Sequence, residues 1–97
     1  MTGAYVIVRC RDAGVHAGQL VEIEGRMALL KRARRLWYWR VAGERDYLSG
    51  VAVDGVHPTS RIGCEVPRLL LTETCEVMLV SEAAAQTIQE APDAQPI

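Results

Sequence analysis

Arginines set beside tryptophan and tyrosine are the residues of this chain with the clearest capacity for chemistry. Residues 31–40 read Lys31-Arg32-Ala33-Arg34-Arg35-Leu36-Trp37-Tyr38-Trp39-Arg40 and hold three of the aromatic residues of a chain with 2 Trp, 3 Tyr and no Phe. Guanidinium forks match phosphate oxygens bidentately, and aromatic rings offer faces on which bases stack. Stacking is worth about 1–3 kcal/mol per base, so a few such contacts beside arginines suffice to hold a nucleotide. On a strand, alternation places Arg35, Trp37 and Trp39 on one face and Leu36, Tyr38 and Arg40 on the other. The candidate ligand-binding set is therefore Arg34, Arg35 and Arg40 on phosphate and Trp37, Tyr38 or Trp39 on a base. His57 and Arg61, from a following loop, complete the pocket from a neighbouring subunit. A plainer reading stays open beside it: the rings fill a core or a subunit contact, and the cations guard a sheet edge against aggregation.

Other chemistries find less support. The cysteines Cys10, Cys64 and Cys75 are odd in number and form no C-x-x-C pair, which argues against a disulfide framework or a zinc site. Each sits among apolar residues, where a free thiol acts as a small hydrophobe. His16 and His57 lie in glycine-containing, turn-like stretches and are expected as solvated loop side chains. Phosphate-loop, dinucleotide-binding, metalloprotease and nucleophile-elbow patterns are lacking, and no pair of carboxylates stands out for proton transfer. The expectation is a protein without enzymatic activity, with no catalytic residues, metal or cofactor.

Composition bounds what can position these side chains. At 97 residues, 49% hydrophobic and 24% charged with a net charge of −1, the chain suits one domain with a modest core. So small a domain buries only about 60–65% of its unfolded surface, which favours an oligomer. No apolar run reaches the roughly 20 residues needed to span a bilayer, and residues 1–4 lack a basic leader, so a soluble intracellular protein is expected. Charge is unevenly spread. Residues 1–45 carry nine basic and four acidic residues, while residues 46–97 carry two basic and eight acidic ones. That complementarity suits a homo-oligomer, and the near-neutral total makes duplex DNA an unexpected partner.

The pattern of apolar residues predicts an α+β domain: an N-terminal antiparallel β-meander forming a small barrel-like sheet, a short middle helix, further strands and a C-terminal helix. Residues 4–10 read as the first strand. Residues 16–24 read as the second, with Val21 and Ile23 inward, and Glu24-Gly25 closes a hairpin into a third strand at 27–30. The apolar pattern lapses over residues 31–35, where a bulge or bend is expected, and resumes as a fourth strand over 36–41. Asp46 is expected to cap a helix over residues 47–54 that Gly55 stops. A short edge strand over 62–66 ending at Pro67, then strands at 69–71 and 75–80, follow. Ser81 caps a last helix over residues 82–90, with Ala84, Ala85 and Ile88 inward and Pro92 beyond its end. The domain is expected over residues 1–91, with residues 92–97 a flexible tail.

Several of these segments share an order. Tyr5-Val6-Ile7-Val8-Arg9 leads into Ala13-Gly14-Val15-His16-Ala17-Gly18-Gln19-Leu20. Then come Ala33-Arg34-Arg35-Leu36-Trp37-Tyr38-Trp39, Leu48 with residues 51–56, Leu71-Thr72-Glu73, and Ser81-Glu82-Ala83-Ala84. In that order the chain resembles a family of small proteins of tailed phages and prophages, over most of residues 4–90, with the A-R-R-L-W-Y-W block its most specific part. It departs from the family at Gly43-Glu44-Arg45-Asp46, where an acidic or amide-rich stretch is usual, and in the tail 93–97. The resemblance implies a phage-encoded accessory protein of the host cytoplasm and carries no catalytic residues with it. The leading expectation is a homo-oligomeric module binding a phosphate-bearing ligand, such as a nucleotide signal of host defence that it sequesters. The alternative is a structural or protein-interaction subunit with the tryptophans at a subunit contact.

Overall fold

The computed structural model describes residues 2–43 and 47–95. β-Branched residues dominate β1 (Tyr5–Cys10), which pairs with β2 (Val15–Glu24) on one side and β6 (Thr74–Leu79) on the other. A two-residue hairpin joins β2 to β3 (Met27–Tyr38), with Gly25 at φ +58° in its first turn position, a conformation glycine adopts without steric cost. β3 in turn pairs with β4 (Arg61–Ile62) and β5 (Val66–Leu71), so the antiparallel order runs β4/β5-β3-β2-β1-β6.

Closure follows from one short link. Only Thr72 and Glu73 separate β5 from β6, although those strands pair with opposite ends of the sheet. The sheet must curl until its edges approach at this corner. Thr74 seals it, donating to the Arg26 carbonyl from its backbone N and its Oγ1, both at 3.0 Å.

Curling creates two apolar layers. Val6, Val8, Leu20, Ala28, Leu30, Ala33 and Leu71 fill the concave interior of the sheet. Ile7, Ala17, Leu36 and Ile62 line its outer face and meet Val51, Ala52 and Ile88. Those last three come from α1 (Leu48–Asp54) and α2 (Glu82–Glu90), which cover that face. The α+β architecture with an N-terminal strand meander, a middle helix and a C-terminal helix is thus as the sequence predicts. α2 matches in detail: Ser81 Oγ accepts from Ala84 N at 3.1 Å, and Ala84, Ala85 and Ile88 are buried. Gly55 ends α1 at φ +88°. The expected cap Asp46 lies outside the described residues; Tyr47 occupies the position before the helix and supplies no side-chain cap.

Two bulges account for most of the differences. At Arg32, whose φ is +54°, β3 gains one residue relative to β2, and the inward parity switches from Ala28 and Leu30 to Ala33. The expected third and fourth strands are consequently one long bent strand, and Trp39, Arg40 and Val41 fall beyond its end. Gly18 lies against the bulge, where a Cβ would meet Ala33 Cα and the Lys31 carbonyl at 3.1 Å. The second bulge leaves Val21 extra on β2, so Leu20 is the inward residue while Val21 is half-buried and Ile23 is exposed. The expected strand over 62–66 is divided between β4 and β5, with Pro67 inside β5. Pro67 sits between the rungs Lys31↔Arg68 and Ala33↔Val66, opposite bulged Arg32, on a strand that pairs only with β3. A residue without an N–H is accommodated at such an edge. The expected free tail is tied down as far as Gln95: Asp93 bridges Ile62, Ala94 N donates to the Ile62 carbonyl at 2.8 Å, and Arg61 Nη2 donates to the Gln95 carbonyl at 2.6 Å. No helix among the described residues is long and apolar enough to cross a membrane.

Candidate functional site

Alternation along β3 sends Arg34 and Arg35 to opposite faces, and the bulge at Arg32 decides which face each one takes. Arg34 points beneath α2 and is only 3% exposed. Its Nε donates to the Gly63 carbonyl at 2.7 Å, and its Nη1 to the carbonyls of Ile88 and Ala91 at 2.7 and 2.6 Å. Its Nη2 meets Asp93 Oδ1 at 3.1 Å. The last carbonyls of a helix lack intrahelical donors and carry partial negative charge, so a guanidinium there satisfies both needs. Arg34 is therefore a structural cap for α2, on the face opposite Arg35 rather than beside it on a shared ligand surface.

Arg35 goes the other way. It pairs across the sheet with His16 and shares with Trp37 the mouth of the curled sheet. There they line a groove of about 230 Å³ with His16, Cys64, Val66 and Leu69. Trp37 is 59% exposed. Among the described residues Arg35 has no ion pair or side-chain hydrogen bond. The groove thus offers a free guanidinium, an indole face and an apolar floor, which is the chemistry of an anion carrying a flat ring.

His16 departs from the solvated loop position expected of it. It lies buried within β2, and its Nε2 is 2.8 Å from the Ala13 carbonyl, an acceptor only, so that nitrogen carries the proton and donates. Burial, and secondarily the Arg35 charge, hold its pKa below the ordinary histidine value against the contrary pull of the Ala13 hydrogen bond. At neutral pH the ring is uncharged. Cys64 and Cys75 are exposed rather than packed as hydrophobes, whereas Cys10 is buried and burial pushes its thiol up.

The other expected site residues lie apart from the groove. Tyr38, half exposed, pairs in register with Arg61. Arg40 is exposed, its backbone N donating to Ser60 Oγ at 2.9 Å and its carbonyl accepting from His57 N at 2.7 Å. His57 is exposed as expected, and its Nδ1 accepts from Thr59 N at 3.2 Å. Trp39 is half-buried and packs against the core beneath the helices, so it offers no platform. His57 and Arg61 flank Tyr38 and Arg40 within the same chain, and neither lines the groove. The predicted set is thereby divided among a structural cap, a two-residue groove pair, a core ring and a polar loop cluster.

Residues the sequence pattern did not single out include His16, Cys64 and Leu69 of the groove, brought there from β2 and from the β4–β5 segment. Asp12 and Glu73 also meet, at the closed corner of the sheet, where the hydrogen bond that protonated Glu73 donates to Asp12, together with the Asp12 charge, raises the Glu73 carboxyl above its ordinary value. Among the described residues no group of three or more His, Cys, Asp or Glu side chains could hold a metal.

The structure defines a strand-rich α+β domain whose curled sheet carries a basic-aromatic groove at its mouth and two helices on its back. The chain belongs to the family described as a domain of unknown function, DUF6948, whose model matches residues 3–88. No curated protein and no solved structure matches it.

Proposed function

We propose that the protein is a binding module without catalytic activity that holds a phosphate-bearing, base-containing ligand in the Arg35–Trp37 groove. The observation that carries this reading is the pair itself: a guanidinium without a side-chain partner among the described residues, beside an indole that is 59% exposed, over one apolar groove. Covering an exposed ring of that size with a ligand would gain about 2–3 kcal/mol. Arg35 binds phosphate oxygens, and Trp37 stacks on the base. Arg34 takes no part. A phage-encoded accessory that sequesters a nucleotide signal of host defence in the cytoplasm is the setting this chemistry suits, with a homo-oligomer multiplying the sites.

The test is a thermal-shift panel of mononucleotides and cyclic nucleotides, read in parallel by tryptophan emission. A binding nucleotide raises the melting temperature and quenches Trp37, and Arg35→Ala abolishes both effects. A panel with no shift and no quench overturns the proposal. The second reading, a protein-interaction subunit, is favoured by the exposure of Trp37 and Val66, which line the same groove. Aromatic residues of this kind anchor protein interfaces. It predicts blue-shifted emission that ignores nucleotides and a size-exclusion mass above that of one chain, which Trp37→Ala reduces.

A further inference from the structure

On the face opposite the groove, a second concavity of about 240 Å³ lies between the start of β1, the bulge of β3 and α2. Tyr5, Gln19, Arg32, Arg34, Glu65 and Gln89 line it. The bulge is what brings both Arg32 and Arg34 to this side, while Tyr5 and Gln19 are register partners on β1 and β2. The Tyr5 hydroxyl is buried and has no hydrogen-bond partner among the described residues. A buried polar group without a partner costs about 1–3 kcal/mol, so its retention calls for a use. Burial, opposed by the nearby Arg34 and Arg32 charges, lifts its pKa to about 12, so the phenol is a donor at neutral pH.

Arg34 adds a second donor. A guanidinium has five N–H groups, and Gly63, Ile88, Ala91 and Asp93 take four of them, with the Nη1 pair also reaching the Gln89 carbonyl at 3.5 Å. One N–H on Nη2 is left over among the described residues. Arg32 stands at the rim, its Nε 3.4 Å from Glu65 Oε1, with the two side chains 64% and 47% exposed. An ion pair so long and so wet holds weakly and exchanges readily for another anion. Gln19 is fixed by donating from Nε2 to the Gly3 carbonyl at 3.0 Å.

We propose that this cavity is an oxyanion site, in which a small carboxylate or phosphate accepts from the Tyr5 hydroxyl and Arg34 Nη2 while Arg32 releases Glu65 and closes over it. Both donor residues line one cavity and the buried guanidinium is fixed, so the site favours acceptor oxygens over cations. Among the described residues Glu65 is the one carboxylate in the lining, and it opposes the ligand. The site is independent of the Arg35–Trp37 groove.

The experiment titrates inorganic phosphate and, separately, acetate into the full chain at constant ionic strength against chloride, following the side-chain amide resonances of Gln19 and Gln89. Saturable shifts with either anion are expected, and the two arms tell a phosphate site from a carboxylate site. Tyr5→Phe, which keeps the ring and removes the orphan hydroxyl, weakens binding about tenfold or more while melting no lower than the parent. Glu65→Gln tightens it about two- to fivefold. Arg35→Ala leaves it unchanged, so failure here and failure of the groove proposal are separable. Identical linear shifts with chloride, or undiminished binding by Tyr5→Phe, overturn the inference. Weaker binding by Glu65→Gln overturns it too, since a cationic or zwitterionic ligand would need that carboxylate.

Discussion

Replacing Arg34 by methionine separates a buried arginine from its exposed neighbour in the clearest way this molecule allows. The substitution keeps a long apolar stem and deletes the guanidinium. Three carbonyls, of Gly63, Ile88 and Ala91, then lose donors held at 2.6–2.7 Å. Each such bond contributes about 1–1.5 kcal/mol net, and an orphaned carbonyl that stays buried costs more. Loss of positive charge at the C-terminal end of α2 removes a further few tenths to about 1 kcal/mol, offset in part by the added apolar packing of methionine. The net cost is about 3–4 kcal/mol, a large share of the roughly 5–15 kcal/mol that holds a domain together. For a chain of this size that is a fall in melting temperature of at least about 12 °C. Urea unfolding followed by far-ultraviolet circular dichroism gives the free energy directly, provided the m-value is unchanged. Arg35→Met, at an exposed position without a side-chain partner, should stay within about 0.5 kcal/mol of the parent. Arg34→Lys should recover little, since a point charge cannot serve three divergent carbonyls. Equal stabilities for Arg34→Met and Arg35→Met would refute the assignment of Arg34 as the cap of α2.

Gly18→Ala should cost about 1–3 kcal/mol, because the new methyl would lie 3.1 Å from the Ala33 Cα and the Lys31 carbonyl at the bulge, where backbone must move; a neutral result in urea unfolding would show that the bulge adapts freely. Ser81→Ala removes the hydroxyl that accepts from Ala84 N at 3.1 Å and should lower stability by about 1 kcal/mol, with the loss restored by Ser81→Asp. His16, with its pKa held below the ordinary value by burial, stabilises the fold when neutral. Protons therefore favour the unfolded chain, and stability is full above about pH 6.5 and falls as the pH drops through the folded-state pKa. A pH series of unfolding free energies on the parent and His16→Gln should show that acid slope in the parent alone, and matching slopes would refute it.

Local periodicity carried a great deal of the architecture. The hydroxyl of Ser81 three residues before an amide it can cap, and the spacing of Ala84, Ala85 and Ile88, specify α2 from near neighbours alone, and Gly25 and Gly55 mark turns through the one backbone conformation that other residues resist. The composition of residues 31–40 likewise announced an arginine-aromatic surface, and Arg35 and Trp37 do share a groove. Strict alternation could not say which arginine would face it, because a single extra residue at Arg32 exchanges the two faces of everything that follows. The fates of Arg34 and Arg35 were decided by groups far along the chain: Ile88 and Ala91 carbonyls, 54 and 57 residues away, claim the first, while the β4–β5 segment leaves the second unclaimed. The same holds for Tyr5, whose strand was plain from its β-branched neighbours and whose unpartnered hydroxyl emerges only when α2 and the bulge of β3 close around it. Strand and helix propensities act over a few residues, but burial and hydrogen-bond satisfaction belong to the assembled chain, and those are what turn one arginine into scaffold and its neighbour into surface.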